Sequence, residues 1–361
     1  MRVAAFTKYG RAAASTRQRL LQFLPALSAA GIEVEVLPLI GDDYVRSLAT
    51  GGSYSRLAMI RSYARRFLQL LREPDYDLIW VYAELFPYLP AIFERLAFRA
   101  GKPLVYDFDD AFFVTYEDKP VLDGKIDGLI AGAAACCCGN PYLLDHARRL
   151  NASSIVLPTV VDTNAYRPLD APPRPPAIGW IGSPSTWPYV RPLLPLIEQL
   201  CRQGEKRFIA VGAGHGADAD RFDGMEVRHW TEHREVADIQ AMDVGIMPLP
   251  DDPWARGKSG YKLVQFMACG LPVVASPVGV NPLIVENGKS GYLASSKDEW
   301  ARSLGLLLKS RDLRSSLGMA GRERIVAHYS LEAQVPRVIQ IFQEAVSRGR
   351  TANRGFARAA A

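Results

Sequence analysis

Residues 257–276 read GKSGYKLVQFMACGLPVVAS. A Gly/Ser-rich turn runs into an apolar-periodic helix that stops at Gly270, and a short apolar strand follows at once. The same alternation continues on both sides. AIGWIG, FIAVGAG, MEVRHW and VGIMPL precede this stretch as strands, with helices between them. One helix, over residues 188–203, carries Val190, Leu193, Leu194, Ile197 and Leu200 on one face.

The amino-terminal half repeats the theme. VAAF is a first strand, and a helix over 16–30 carries Leu20, Leu24 and Leu27 and stops at Gly31. IEVEVLPL, a long helix near 56–72, LIWVYA, a helix near 88–100, PLVYDF and the apolar run AACCCGN follow. Strands alternating with helices imply parallel sheets covered on both faces. Between the halves, Arg167–Pro176 holds five prolines in ten residues, which excludes a helix or a central strand and predicts an extended linker. The expected organisation is a Rossmann-like acceptor domain (1–166), a Pro-rich linker (167–177) and a Rossmann-like donor-binding domain (178–335) facing it across a cleft. A helix over 336–347 packing back on the first domain and a basic tail (348–361) complete it. Ligands of open parallel sheets bind beyond the carboxyl ends of the strands.

Composition narrows the class. The 361 residues are 48% apolar and 22% charged, which excludes a disordered chain, a coiled coil and a collagen-like repeat. Five cysteines, three of them adjacent at 136–138, form no CxxC pair, so neither a disulfide framework nor a structural zinc is expected. No apolar run approaches the ~18 residues of a membrane span, and the amino terminus lacks a signal peptide's apolar region, which predicts a cytoplasmic protein. Residues 1–166 carry 18 Lys/Arg and 18 Asp/Glu, so the net charge of +5 arises downstream, where Arg348, Arg350, Arg354 and Arg358 stand in a tail without acid. A tail of this kind is not the basic folded face that nucleic acid requires, and no nucleic-acid partner is expected.

Chemistry concentrates at the segment quoted first. A helix amino terminus offers free N–H groups and partial positive charge to a phosphate. Lys258 and Lys262, four residues apart, would share one helical face beside it; the alternative is a solvated surface pair. Together they would hold a diphosphate without metal. No cofactor is expected.

The run KxxxKxxQFMACGLPVVASPVGVN resembles the donor-binding signature of retaining glycosyltransferases of family 4 (group 1), which have the two-domain GT-B fold. STRQR at 15–19, VYDFDDAFF, GNPYLL, VLPTVVDTNAYRP, IGWIGSPSTW and DVGIMPL resemble other landmarks of that family in the same order. The resemblance implies a nucleotide diphosphate sugar donor (UDP- or GDP-linked), a glycan or lipid-linked acceptor, transfer with retention, and a place in bacterial surface-polysaccharide or lipopolysaccharide assembly. It implies donor contacts from Gly182, Ser183, Trp230, Thr231, Ser259, Gly260, Tyr261 and Gln265. Lys258 and Lys262 would stabilise the leaving diphosphate. Thr16, Arg17, Arg19 and Asp110 would meet the acceptor, with helix capping the equal alternative for Thr16. Asp109 falls where many members carry a histidine facing the reacting sugar; pairing with Arg17 or Arg19 is the alternative.

Two departures stand out. The family's glutamates eight residues apart fall at Gly257 and Gln265, and its basic residue after the glycine of the second domain's first strand falls at Ser183. Gln265 can still hydrogen-bond a ribose hydroxyl, whereas Gly257 offers the donor sugar no side chain. A nucleotide-sugar epimerase of the same fold, or a non-catalytic nucleotide-sugar binder, are the other readings. The DxD triplet Asp107–Asp109 suggests a metal-dependent transferase of another fold, but the two Rossmann-like halves oppose it. The helix near 56–72 carries Arg56, Arg61, Arg65, Arg66 and Arg72 among apolar residues, a pattern shared by an ordinary outer helix and by one resting on an anionic membrane at the inner face of the plasma membrane.

Overall fold

The computed structural model describes residues 1–49, 55–71, 75–98, 101–169, 174–203 and 206–359. Part of the expected linker, 170–173, lies outside the described residues. The chain divides into two units, each built on a six-stranded parallel sheet.

The first unit comprises Met1–Thr159, Gly257–Ser259 and Gln334–Ala361. Its strands are β1 (Arg2–Tyr9), β2 (Glu33–Ile40), β3 (Leu78–Tyr82), β4 (Leu104–Phe108), β5 (Ala135–Cys138) and β6 (Ser154–Val156), in the order β2-β1-β3-β4-β5-β6. Strands β3, β4 and β5 are buried on both faces, so they read as unbroken apolar runs rather than alternating ones. The three adjacent cysteines fill β5 as small core residues, with the Cys136 thiol pushed up to about 12 by burial.

The second unit comprises Val160–Arg256 and Gly260–Ala333. Its strands are β7 (Ala177–Ile181), β8 (Arg207–Val211), β9 (Met225–Arg228), β10 (Val244–Met247), β11 (Val273–Ala275) and β12 (Gly291–Leu293), in the order β12-β11-β10-β7-β8-β9. The order reverses direction between β10 and β7, and in the first unit between β1 and β3. Loops leave the sheet on opposite faces at such a point and open a crevice there.

Helix limits differ from the sequence pattern in several places; the helix expected over 188–203 begins as two 3-10 turns, Trp187–Tyr189 and Arg191–Leu193, and is helical from Leu194 to Arg202. The single helix expected over 16–30 is broken into Ala14–Arg19, a 3-10 turn at Leu21–Phe23, and Leu24–Ala29, with Pro25 in the first turn of the last piece. The helix expected over 88–100 shortens to Ala91–Glu94 followed by a 3-10 turn, Arg95–Phe98. The last helix runs unbroken from Leu331 to Ala359, so the stretch read as a basic tail continues the helix. Val338, Phe342 and Ala345 of that helix are buried, and the Phe342 ring meets Trp80 of β3 edge-on at 5.1 Å.

Candidate functional site

In the second unit, the helix Tyr261–Ala268 is started by Gly260, whose φ of +69° suits glycine and where a Cβ would fall 2.3 Å from the terminal methyl of Ile284. The first helical residue is therefore Tyr261. This start corrects the expectation that Lys258 and Lys262 share a helical face: Lys262 is in the first turn, whereas Lys258 lies in the preceding loop. Lys262 extends to the end of β7, where a Cβ on Gly182 would fall 2.9 Å from its Cε and 2.4 Å from the Trp180 ring. Its ammonium stands 5.8 Å from the centre of that ring. A Cβ on Gly212, at the end of β8, would fall 2.3 Å from the Gly182 carbonyl oxygen and 3.2 Å from the Trp230 Cβ. Glycines at both strand ends thus let a lysine and a tryptophan crowd the crevice beside β7.

Ser183 is exposed in the loop after Gly182, its hydroxyl 2.9 Å from that of Ser185. Trp230 and Thr231 follow β9, both half-buried. Gln265, expected to meet a ribose, is instead 3% exposed and donates to Glu235 Oε1 at 2.9 Å and to the Tyr166 hydroxyl at 3.2 Å. Glu235 also takes the Tyr166 hydroxyl and the Trp230 indole N–H. Sequence reading missed Tyr166 and Glu235, because nothing in their local pattern marks them; they meet only through the fold. Thr231 Oγ1 and Asn281 Oδ1 are among the buried polar atoms with no hydrogen-bond partner.

Gly257, Lys258 and Ser259 group with the first unit. Asn140 Nδ2 donates to the carbonyls of Gly257 and Lys258 at 2.9 and 3.0 Å, and Lys258 Nζ pairs with Asp110 Oδ1 at 2.9 Å. A Cβ at 257 would lie 2.7 Å from the Ala111 nitrogen, so glycine is required by packing here. Asp110 is thereby engaged with Lys258.

The remaining first-unit residues are placed unevenly. Arg19 is 1% exposed, donating to Asp107 Oδ1 at 2.7 Å and to the Leu157 carbonyl at 2.7 Å. It cannot grip an acceptor from there, which corrects that expectation; burial works against its charge, but Asp107 and then Asp109 hold the guanidinium protonated. Thr16 is equally buried and donates to the Tyr9 carbonyl without capping the helix, whose N-cap is Ala13. Arg17 is half-buried and ties back to the carbonyls of Arg11 and Ala12. Asp109 accepts from the Tyr82 hydroxyl at 2.8 Å and from Thr159 at 3.3 Å rather than from an arginine.

What the fold does present in the first unit is the loop after β3. Ala83 and Tyr88 both take positive φ, +64° and +59°, a conformation that costs non-glycine residues on the order of 1 kcal/mol or more. Buried side chains hold the loop there. Glu94 accepts from the amides of Leu85 and Phe86, Arg66 donates to the Leu85 carbonyl, Tyr106 to that of Ala83, and Lys125 to that of Phe86. The result displays Tyr88, 64% exposed, and places Lys8 at 5.4 and 5.8 Å from the rings of Tyr9 and Tyr88 and 3.7 Å from Glu84.

These features coincide with a family match. Residues 175–310 match the family model described as glycosyl transferases group 1. The chain is 34% identical over 87 residues to D-inositol 3-phosphate glycosyltransferase of Corynebacterium jeikeium, covering 24% of this chain and 20% of that protein. It is 36% identical over 100 residues to the enzyme of the same name from Salinispora tropica, covering 27% and 20%. The matched stretch thus spans about a fifth of the length of these curated relatives. Over nearly the whole chain the fold matches solved GT-B structures. Sucrose-phosphate synthase from Thermosynechococcus elongatus superposes with a TM-score of 0.74 at 15% identity, covering 96% of this chain and 99% of that one. Anabaena HepE in complex with UDP and glucose superposes with a TM-score of 0.70 at 15% identity, covering 94% and 99%. The matched residues 175–310 include Lys262, Trp230 and Gln265. Among the described residues no helix is long and apolar enough to cross a membrane.

Proposed function

We propose that this chain is a retaining glycosyltransferase that moves a sugar from a nucleotide diphosphate sugar to a glycan or lipid-linked acceptor. The observation that carries the reading is the convergence of Lys262, Gly182, Gly212 and Trp230 at the reversal of strand order in the group 1 domain. Lys262 supplies charge for the leaving diphosphate, the group on which negative charge grows as the glycosidic bond breaks. The half-buried Trp230 supplies an aromatic surface for the base. As the anomeric C–O(phosphate) bond breaks, the acceptor oxygen bonds the same carbon on the same face and its proton passes to a diphosphate oxygen.

On the acceptor side, Lys8 and Tyr88 replace Thr16 and Arg19, since they are the accessible groups at the reversal of strand order in the first unit. A lysine flanked by tyrosines suits a hydroxylated ring carrying an anionic group. The names of the relatives, with an inositol phosphate and, for the Bacillus anthracis enzyme, L-malate, are in keeping with an anionic acceptor. Leu57, Ile60, Phe67, Leu68 and Leu71 are exposed along one helix that also exposes Arg56, Arg61 and Arg65, which supports contact with an anionic membrane and a role in surface-polysaccharide assembly.

The test is calorimetric titration with UDP, GDP and their sugars in the presence of chelator. Tight binding of one diphosphate is expected, weakened about tenfold or more in Lys262→Ala, because a charge-assisted bond to phosphate is worth ~1.5–3 kcal/mol. Lys258→Ala, whose partner is Asp110, is expected to lose less. No binding across the panel, or binding only with a divalent ion, overturns the reading. Binding of a sugar nucleotide that is neither transferred nor hydrolysed would instead favour a non-catalytic binder, a reading suggested by the side-chain-free position at Gly257.

A further inference from the structure

Five side chains of the second unit form one hydrogen-bonded group around a single buried carboxylate. Glu235 Oε1 accepts from the Tyr166 hydroxyl and the Gln265 amide, and Oε2 accepts from the Trp230 indole. Gln265 also donates to the Tyr166 oxygen at 3.2 Å, and Tyr261 hydrogen-bonds the same oxygen. Glu235 is 8% exposed and Gln265 3%. The Tyr166 phenol is held protonated by burial first and by Glu235 next. The other ionisable groups here are the Cys269 thiol, pushed up to about 12 by burial, and Arg322, which donates to the Tyr166 and Ala268 carbonyls.

We propose that Glu235 is the positioning residue of the donor nucleoside site, fixing the Trp230 ring against which the base of a nucleoside diphosphate lies, and that its presence is why residue 265 is a glutamine. The inference rests on the donor-site reading above. A carboxylate at 265, where the family resemblance places one, would stand about 3 Å from that of Glu235 in a buried group, and two such carboxylates ionise together only at raised pH and against their mutual repulsion. An amide there donates to the carboxylate instead of repelling it. The single charge then binds three donors at once, and charge-assisted bonds of this kind are short and directional. Trp230 is thereby held by its indole N–H while the residue stays half-buried.

The experiment exchanges the charge across the pair. Gln265→Glu, Glu235→Gln, the double exchange and Trp230→Phe are made in the full chain, and UDP and GDP are titrated near pH 6 and near pH 8, with melting followed by circular dichroism. Gln265→Glu is expected to weaken binding about tenfold or more near pH 8 and to recover near pH 6, where the carboxyl pair regains a shared proton. The double exchange, with one carboxylate again, is expected to lose that pH dependence. Trp230→Phe removes only one donor to Glu235 and gives a readout should a carboxylate variant fail to fold; it is expected to weaken nucleotide binding without lowering the melting temperature to match. Binding by Gln265→Glu equal to wild type at both pH values overturns the proposal, as do a double exchange no better than the single variant and unchanged binding by Trp230→Phe. Wild-type protein that binds neither nucleotide overturns the donor-site reading itself, a result separable from the others because it precedes any variant.

Discussion

Arginine 19 shows how a single side chain changes meaning once its neighbours are known. In the sequence it is one of two basic residues after the first strand; in the fold its guanidinium is sealed against Asp107 and the Leu157 carbonyl. Asp107 in turn is pushed up to about 6 by burial, with Arg19 and the Trp80 indole pulling the other way. A carboxyl whose native pKa exceeds its unfolded value of ~3.9 binds its proton more tightly in the folded chain. Its contribution to stability is therefore present below about pH 4 and is lost as pH rises through about 6. Carbon-13 titration of the Asp107 carboxyl is expected to show a midpoint near 6; a midpoint near 4 would mean that the Arg19 pair outweighs burial. Asp107 and Asp109 also show why a DxD triplet is weak on its own. Each is occupied by partners from other elements, Arg19 and Trp80 for one, Tyr82 and Thr159 for the other.

At the scale of the element, the helix Arg56–Leu71 carries two kinds of arginine that its pattern does not separate. Arg66 is fully buried and donates to the carbonyls of Thr7, Leu37 and Leu85, whereas Arg56, Arg61 and Arg65 remain exposed beside an exposed apolar stripe. The buried one is structural, and the stripe is the part available to a surface. Ile60→Glu with Leu68→Glu is expected to reduce sedimentation with anionic vesicles by about tenfold or more while leaving the melting temperature nearly unchanged, since both positions are over half exposed. Equal sedimentation of wild type and variant would remove the membrane reading. The loop after β3 is the complementary case. Its pattern, AELFPYLP, reads as an ordinary connection, yet the fold holds Ala83 and Tyr88 in left-handed backbone by four buried side chains from four separate stretches of chain.

On the scale of the whole molecule, the first unit is assembled from three separated stretches, and its last one is the long carboxyl-terminal helix. Phe342, 1% exposed against Trp80, joins that helix to β3. Phe342→Ala is expected to destabilise the first unit by ~3–5 kcal/mol, the usual loss for an aromatic removed from a core, read as a lowered urea midpoint. A change under ~1 kcal/mol would mean that the helix adds little to that core.

The sequence by itself determined the architecture. Apolar runs of four to eight residues alternating with amphipathic helices, broken by glycine and proline, leave little besides parallel sheets covered on both faces, and the two six-stranded sheets follow. It also marked the segment around Lys262 and Gln265, because a glycine-started helix after a turn is a local signal. The start of that helix, set by Gly260, separated Lys258 from Lys262. The burial of Arg19 and Thr16, the display of Lys8 and Tyr88, and the joining of Tyr166, Trp230, Glu235 and Gln265 were decided only by the tertiary structure. The Glu235 partners are separated by up to 99 positions in the chain, as Tyr166 and Gln265 are. Hydrophobic periodicity records which face of an element is buried, but not which polar groups meet beneath it, and those meetings fix which charges stay available for chemistry.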